Sequence, residues 1–339
     1  MGLFSFTQEI AVDLGTANTI IIHNNKVVID EPSVVALDTK SGKLIAVGEK
    51  AREMRGKVHE GIKTVRPLRD GVIGDFYAAE LMMRGLIKKV SAKNHWFSPS
   101  LRMVVCIPSG STEVEIRAVR DSSEHAGGRE VFMIYEPMAA ALGIGLDVLA
   151  PEGNMIVDIG GGTTEIAVIS LGGIVSNKSI RIAGDVLTED IIEHMRRVHN
   201  VKVGERTAEL IKINVGSALT ELDNPPEDYV VHGPNQMTAM PMEVAVTYQE
   251  ISHCIEKTIS KIEAAVLNAL EHTPPELYAD IVKNGVYLSG GGALLRGLDK
   301  RLTDKIGITF HVADDPLHAV AKGTGVALKN IKHFKFLKK

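Results

Sequence analysis

Two similar stretches, "DIGGGTT" at residues 158–164 and "DLGTANT" at residues 13–19, decide how this sequence folds. Each follows a short apolar run, residues 155–157 in one case and 10–12 in the other. Such a run predicts a buried strand, and the glycines that follow predict a tight turn into a second strand. A further turn and a third strand follow in both places. The chain therefore contains the same strand–turn–strand–turn–strand unit twice, with the copies nearly half the chain apart.

Composition limits the kind of protein this is. With 339 residues, of which 45% are hydrophobic, the chain is long enough for about two domains with sizeable cores. Its formal net charge of −4 argues against a general nucleic-acid-binding protein, which usually carries a basic surface. There is no secretion signal and no run of roughly 18 apolar residues, so we expect a cytoplasmic protein with two reduced cysteines. The twelve histidines show no H-E-x-x-H or Cys/His motif, so no zinc site is expected.

Helices are predicted between the strands of both halves. Thr112 with Glu115, and Thr247 with Glu250, have the spacing of a capping box, which predicts two helix starts. The proline-rich stretch 223–241 is expected to be an exposed loop or irregular excursion. Strands that alternate with helices indicate an α/β fold. Because the unit is repeated, we expect two related halves with a cleft between them.

The glycine turns suggest a phosphate site. Glycine lets backbone N–H groups approach phosphate oxygens without a Cβ in the way, although a single such turn is equally well explained as a plain hairpin. Two matching turns favour a polyphosphate held from both sides. Asp13 and Asp158 end the strands beside these turns, where they would either share a Mg²⁺ ion or cap their own turns. No Walker motif is present, and turns that open hairpins exclude the Rossmann motif at these two places.

Three further features fit a nucleotide site but also have simpler explanations. "GVYLSGGGALLRGL" at 285–298 predicts a strand, a glycine turn and a helix starting near Ala293, where a nucleoside could lie. Glu136 ends a strand just before Pro137, so it would either orient a water molecule or cap a helix. Glu209 and Lys212 share a helical face and would contact a nucleoside or form a surface ion pair.

Taken together, these motifs resemble the actin superfamily, which includes sugar kinases and DnaK-type chaperones. "DLGTANT" and "DIGGGTTEIAVIS" resemble its two phosphate motifs and "YLSGGGALLRG" its adenosine motif, while "EPMAAALG" and "DPLHAVAKGTGVAL" resemble its connecting segments. Within the superfamily the chain is most similar to the MreB family of bacterial actins. That similarity rests on five further stretches: "DEPSVVALD" (30–38), "RPLRDGVIGDF" (66–76), "SIRIAGD" (179–185), "GERTAELIK" (204–212) and "TPPEL" (273–277).

The resemblance implies an actin-like (ribonuclease H-like) fold with two related domains around a nucleotide cleft. The first would comprise residues 1–150 and 316–339 with a smaller subdomain at about 33–74, and the second residues 151–315 with a smaller subdomain at about 184–245. It implies a slow, Mg²⁺-dependent ATPase that polymerises into membrane-associated filaments and maintains rod shape by directing peptidoglycan synthesis. The alternatives are non-filamentous ATPases of the same fold, a small-molecule kinase or a chaperone-type ATPase.

The resemblance also assigns site residues. Asp13 and Asp158 would hold Mg²⁺, and Glu136 would position the hydrolytic water together with Asp158. The ATP site would consist of Asp13, Gly15, Thr16, Ala17, Asn18, Gly160, Gly161, Gly162, Thr163, Gly184, Glu209, Lys212, Gly290, Gly291, Gly292, Ala293 and Leu294.

Two apolar segments are candidates for membrane contact. Trp96 and Phe97 fall where the family has a membrane loop, and an exposed pair of this kind suits a bilayer interface, although a loop folded onto the core is the alternative. Leu3, Phe4 and Phe6 would add a second anchor. The expected partners are copies of the chain itself, the inner face of the cytoplasmic membrane and membrane proteins of the cell-elongation machinery, without nucleic acid.

Overall fold

The structure, a computed structural model, describes residues 7–91 and 100–339. Its strands are β1 (Thr7–Leu14), β2 (Asn18–His23), β3 (Lys26–Pro32), β4 (Val35–Asp38), β5 (Leu44–Val47), β6 (Ile62–Val65), β7 (Leu68–Arg69), β8 (Val72–Ile73), β9 (Ser100–Ile107), β10 (Gly128–Tyr135), β11 (Asn154–Ile159), β12 (Thr164–Ser170), β13 (Gly173–Ile180), β14 (Tyr229–Pro234), β15 (Pro241–Val246), β16 (Val286–Ser289) and β17 (Phe310–Val312). Its α-helices are α1 (Glu49–Met54), α2 (Phe76–Ser91), α3 (Glu113–His125), α4 (Glu136–Ile144), α5 (Gly184–Val198), α6 (Glu205–Val215), α7 (Tyr248–Glu271), α8 (Pro275–Asn284), α9 (Leu298–Ile306) and α10 (Ala319–Lys329).

The two large sheets are built in the same way. The first has the strand order β10-β9-β1-β2-β3 and the second the order β13-β12-β11-β16-β17. In each, the strand that ends at the aspartate pairs antiparallel with the strand after the glycine turn and parallel with a strand from later in the chain. The predicted repeat and the predicted α/β class are therefore both present in the fold.

A shared core joins the two sheets. It contains Ala11 and Ile20 from the first sheet and Ile156 and Ala167 from the second, together with residues of helices α4 and α10. The backbones of these two helices are in direct contact at Gly323. A Cβ added to Gly323 would lie 1.7 Å from the carbonyl oxygen of Ala139, so a larger residue would not fit there. Separate clusters fill the outer side of each sheet. Helices α4 and α10, which belong to the first half, thus pack in the core that joins this half to the second sheet.

Smaller sheets are inserted beyond each half. Strands β5-β4-β6 form a three-stranded sheet in the first half, and β14 pairs with β15 in the second. The expectation of an irregular loop at 223–241 is therefore only partly right, since β14 and the start of β15 fall within it. The alternation of buried Val231 with exposed Val230 and His232 is typical of a strand with one covered face.

The helix predicted near Ala293 is also different in the structure. Residues Gly291–Leu294 form a single 3-10 turn, and α9 begins only at Leu298. Leu295 is extended and Gly297 has a φ of +72°, so the chain leaves the helical conformation before α9 starts.

Candidate functional site

The two glycine turns meet across the cleft. A Cβ added to Gly161 would lie 2.8 Å from the Cβ of Ala17, which is too close for two carbon atoms. A Cβ on Gly162 would lie 2.7 Å from Oγ1 of Thr16, the atom that accepts a hydrogen bond from the Gly71 N–H at 3.0 Å. The turns can approach in this way only because these residues lack side chains. What they present to the cleft is backbone, as a phosphate-binding turn requires.

Asp13 and Asp158 occupy equivalent places at the ends of β1 and β11. Burial raises the pKa of Asp13 to about 6, although its Oδ1 accepts a hydrogen bond from the Cys106 thiol at 3.0 Å. Burial also raises the pKa of Asp158 to about 7, and the negative charge of Asp13 adds to this effect. The hydroxyl of Ser289, which donates to Asp158 Oδ1 at 2.6 Å, acts in the opposite direction.

Two glutamates lie near the aspartates. Glu136 begins α4, and burial, followed by the charges of Glu165, Asp158 and Asp13, raises its pKa well above the usual value. Glu165 is fully buried on β12. Four carboxylates crowded into one low-dielectric site repel one another when ionised. A hard divalent cation would relieve that repulsion, and a set of oxygen ligands fits Mg²⁺.

Glu165 and Ser289 are site residues that the sequence analysis missed. The Glu165 carboxylate accepts hydrogen bonds from the Ser109 N–H at 2.9 Å, from the Ser109 hydroxyl, and from the Ser179 hydroxyl at 2.5 Å. A glutamate next to the glycine turn in the apolar strand "EIAVIS" was a usable signal, since buried carboxylates are rare. No sequence pattern pointed to Ser289, because the pairing of β16 with β11 is what brings it beside Asp158.

The structure brings Glu209, Lys212 and Gly184 together. Lys212 Nζ donates to the Gly184 carbonyl at 2.8 Å and lies 2.7 Å from Glu209 Oε2. Thr188, which was not predicted, bonds to the same carboxylate at 2.8 Å. The Gly184 N–H donates to the Gly160 carbonyl at 3.1 Å. The Glu209–Lys212 pair is therefore attached to the second glycine turn.

The third glycine run, Gly290–Gly292, lies directly behind the second turn. A Cβ on Gly292 would come within 2.2 Å of Cγ2 of Ile159, the residue after Asp158. Ala293 is buried against this region, whereas the Leu294 side chain is exposed. The turn at Gly290 is thus packed directly against the end of the strand that carries Asp158. Of the remaining predicted residues of this site, Gly15 and Asn18 belong to the first turn, and Asn18 Nδ2 donates to Asp30 Oδ1 at 3.1 Å.

The five residues predicted to contact a membrane, Leu3, Phe4, Phe6, Trp96 and Phe97, lie outside the described residues. Within residues 7–91 and 100–339, no helix combines the length and the apolar character that crossing a bilayer demands.

Two repeated sheet-and-helix halves with facing glycine turns define an actin-like protein. The fold matches that of MreB 5 of Spiroplasma citri bound to AMPPNP, with a TM-score of 0.89, 37% sequence identity, and coverage of 96% of this chain and 97% of that one. It also matches the MamK double helical filament, with a TM-score of 0.79, 21% identity, and coverage of 96% and 99%. The predicted fold is confirmed.

The chain belongs to the MreB/Mbl family, whose model, described as "MreB/Mbl protein", matches residues 7–336. It is 46% identical to the cell shape-determining protein MreB of Escherichia coli (strain K12) over 335 residues, which cover 96% of this chain and 94% of that protein. It is 43% identical to the cell shape-determining protein Mbl of Bacillus subtilis (strain 168) over 327 residues, which cover 96% and 97%. The predicted family is therefore confirmed as well.

Proposed function

We propose that this chain is an ATP-dependent, filament-forming cytoskeletal protein that determines cell shape. One observation carries the proposal: two facing glycine turns, each beside a buried aspartate with a raised pKa, form a site that suits a magnesium-bound polyphosphate. Family membership supports it, since the relatives in Escherichia coli and Bacillus subtilis are named cell shape-determining proteins. The Spiroplasma citri relative was solved bound to AMPPNP and to ADP, which supports a nucleotide in this cleft.

In this proposal the two glycine turns bind the phosphates, and residues on either side of these turns bind the nucleoside. Backbone N–H groups of 15–18 and 161–163 face the phosphate oxygens, and Asp13 and Asp158 hold Mg²⁺. Glu209 and Lys212 on one side and the 290–294 turn on the other enclose the ribose and base. We further propose that residues 1–150 with 316–339, and residues 151–315, move as units about the shared core, where α4 packs against β11 and β12.

Mg²⁺, when bound, would neutralise charge on the phosphates and on the two aspartates. In this proposal Glu136 orients a water molecule toward the terminal phosphate, and its support is that it begins α4 close enough to both aspartates for their charges to raise its pKa. Ser289 keeps Asp158 oriented through its 2.6 Å hydrogen bond. Hydrolysis is slow in this scheme. It is coupled to polymerisation of the filament and does not serve a metabolic reaction.

The first experiment tests nucleotide-driven assembly. The purified chain is mixed with Mg²⁺ and ATP, sedimented, and imaged by electron microscopy, and the same is done with EDTA. We expect filaments only with Mg²⁺ and ATP, and none from Asp158→Ala. Glu136→Ala should slow phosphate release while sparing ATP binding. A chain that stays monomeric at high concentration on lipid, or that transfers phosphate to a small molecule, would contradict the proposal.

We also propose peripheral binding to the inner face of the cytoplasmic membrane, where the filament would direct peptidoglycan synthesis through membrane proteins of the elongation machinery. The support is the residue types at Trp96, Phe97, Leu3, Phe4 and Phe6, since aromatic and apolar side chains suit a bilayer interface. Weak anchors repeated along a filament bind strongly by avidity. Trp96→Ala with Phe97→Ala should reduce flotation with anionic vesicles while filaments still form without lipid. If the double variant floats with vesicles as well as the unaltered chain does, the 94–99 segment does not contribute to membrane binding.

A further inference from the structure

Two histidines and a glutamate converge at one end of helix α5, far from the glycine turns. His194 lies in the last turns of α5, His199 follows the helix directly, and Glu250 lies in the first turn of α7. One potential ligand atom from each residue lies within 4.8 Å of the other two. The Nε2 atoms of both histidines are 2.5 Å from the same oxygen, Oε1 of Glu250. Both imidazoles are thus aimed at one carboxylate oxygen, and the three ligand atoms lie close together.

The carboxylate of Glu250 does not cap the start of α7 as the sequence spacing predicts. In the complete capping box of α3, the Glu115 carboxylate accepts a hydrogen bond from the Thr112 N–H at 2.7 Å. In α7 only half of that arrangement forms, with the Glu250 N–H donating to the Thr247 hydroxyl at 3.2 Å. The Glu250 carboxylate instead faces His194 and His199. The predicted capping box at Thr247 is therefore only half formed, because the histidines compete for its acid.

The cluster is accessible but well supported. The side chains of His194, His199 and Glu250 are 18%, 21% and 21% exposed. All three are therefore held by packing on most of their surface while remaining open to an ion from solvent. Helix α7 anchors its side of the cluster through Ile251 and Ile255, which are fully buried.

We propose that His194, His199 and Glu250 form a binding site for one transition-metal ion, with zinc as the best-fitting ion. Two imidazoles and one carboxylate, with water as the fourth ligand, are a recurrent zinc ligand set, whereas Mg²⁺ prefers oxygen ligands alone. Zinc–ligand bonds of about 2.0–2.1 Å in a tetrahedron put neighbouring ligand atoms about 3.3 Å apart. The present 2.5 Å separations must therefore widen by less than about 1 Å, which side-chain rotation can supply.

Binding would tie the end of α5 to the start of α7. The other end of α5 touches the second glycine turn, where the Asp185 N–H donates to the Gly161 carbonyl at 2.7 Å. The ion would therefore brace a helix that runs from the candidate nucleotide site to the outer part of the second half. It would act as a structural ligand of the folded state, whose stability would rise with the logarithm of the free zinc concentration once that concentration exceeds the dissociation constant.

The test uses the full-length, tag-free chain, stripped of metal with a chelator that is then removed. Zinc binding is measured by isothermal titration calorimetry, Co²⁺ binding by its visible absorption, and stability by the thermal midpoint with and without zinc. We expect one tight site, the absorption of tetrahedral Co²⁺, and a higher midpoint with zinc. His194→Gln retains an amide that can donate to Glu250 but removes the imidazole ligand. Its zinc affinity should fall by more than the ~10–100-fold that loss of an outer-shell partner costs.

His253→Ala is the matched control, because His253 is an exposed histidine on the same helix α7 whose ring bonds to the Gln249 carbonyl, away from Glu250. It should leave zinc affinity unchanged. Glu250→Gln should lose the tight site as well, and ATP binding by both variants would verify that they are folded. Absence of a tight site in the unaltered chain, or equal affinity in His194→Gln and His253→Ala, would overturn the proposal and leave a hydrogen-bonded triad.

Discussion

At the scale of single residues, the cleft is defined by carboxylates that are costly to ionise. Asp13 and Asp158 end matching strands, and burial is the main cause of the raised pKa of each. Hydrogen bonds from Cys106 and Ser289 offset only part of that cost. With pKa values of about 6 and about 7, these two carboxyl groups lose their protons much closer to neutral pH than ordinary aspartates do.

The first prediction concerns the pH dependence of stability without nucleotide. In the unfolded chain an aspartate loses its proton near pH 4, whereas folded Asp158 has a pKa of about 7. Between these values the folded state binds more protons, so the free energy of unfolding should fall as pH rises through this window. Urea denaturation at a series of pH values measures it. Asp158→Asn, which cannot titrate, should show a shallower fall, and an equal slope would contradict the assignment.

The second prediction concerns proton release on nucleotide binding. Mg²⁺ favours ionised carboxylates, so binding of Mg–ADP near pH 6.5 should displace protons from Asp13 and Asp158. Calorimetry in buffers of different ionisation enthalpy counts those protons, and apparent affinity should rise with pH between the pKa values of about 6 and about 7. Asp158→Asn should release fewer protons. Binding without any proton release would indicate that the aspartates do not meet the ion.

At the scale of elements, the two glycine turns are packed so closely that one added methyl group on Gly161 should force them apart. Gly161→Ala places a Cβ 2.8 Å from that of Ala17, so the turns must separate. Such overpacking typically costs about 1–3 kcal/mol, and we expect nucleotide affinity to fall by about tenfold or more. Gly173→Ala is the control, because Gly173 begins β13 beyond the far end of β12 and its Cβ would lie no closer to a described atom than 3.7 Å, from the Ser170 carbonyl oxygen. Equal affinities for the two variants, measured with a fluorescent nucleotide, would refute this explanation.

Elements that depend on local sequence were predictable, and elements that depend on tertiary contacts were not. The capping box at Thr112 forms as its spacing predicts, because both partners lie within one turn. The box at Thr247 is only half formed, because His194 and His199 attract Glu250 from a distant part of the chain. The helix predicted near Ala293 is a 3-10 turn, since Gly297 takes a positive φ before α9 begins.

At the scale of the whole molecule, the repeated motif predicted the two halves but not what holds them at a given separation. The facing of the Asp13 and Asp158 turns follows from internal symmetry, so it was visible in the sequence. The partners of Arg66 were not, since Asp185 and Glu205 lie 119 and 139 positions further along. Neither charge pattern nor spacing relates residues so far apart. Only the folded arrangement of the inserted three-stranded sheet beside α5 and α6 brings them together.

Arg66 links the two halves across the mouth of the cleft, and the last prediction concerns that link. Its guanidinium lies 2.6 Å from Asp185 and 2.9 Å from Glu205, and only 16% of its side chain is exposed. Arg66→Ala leaves these carboxylates without that cation, so the cleft should open more easily. A partly buried link worth about 1 kcal/mol would speed nucleotide release by roughly 5-fold. Stopped-flow release of a fluorescent nucleotide measures this rate. Arg52→Ala, which removes only an exposed pair with Glu49 inside α1, should leave it unchanged, so equal rates for both variants would show that the link does not restrain opening.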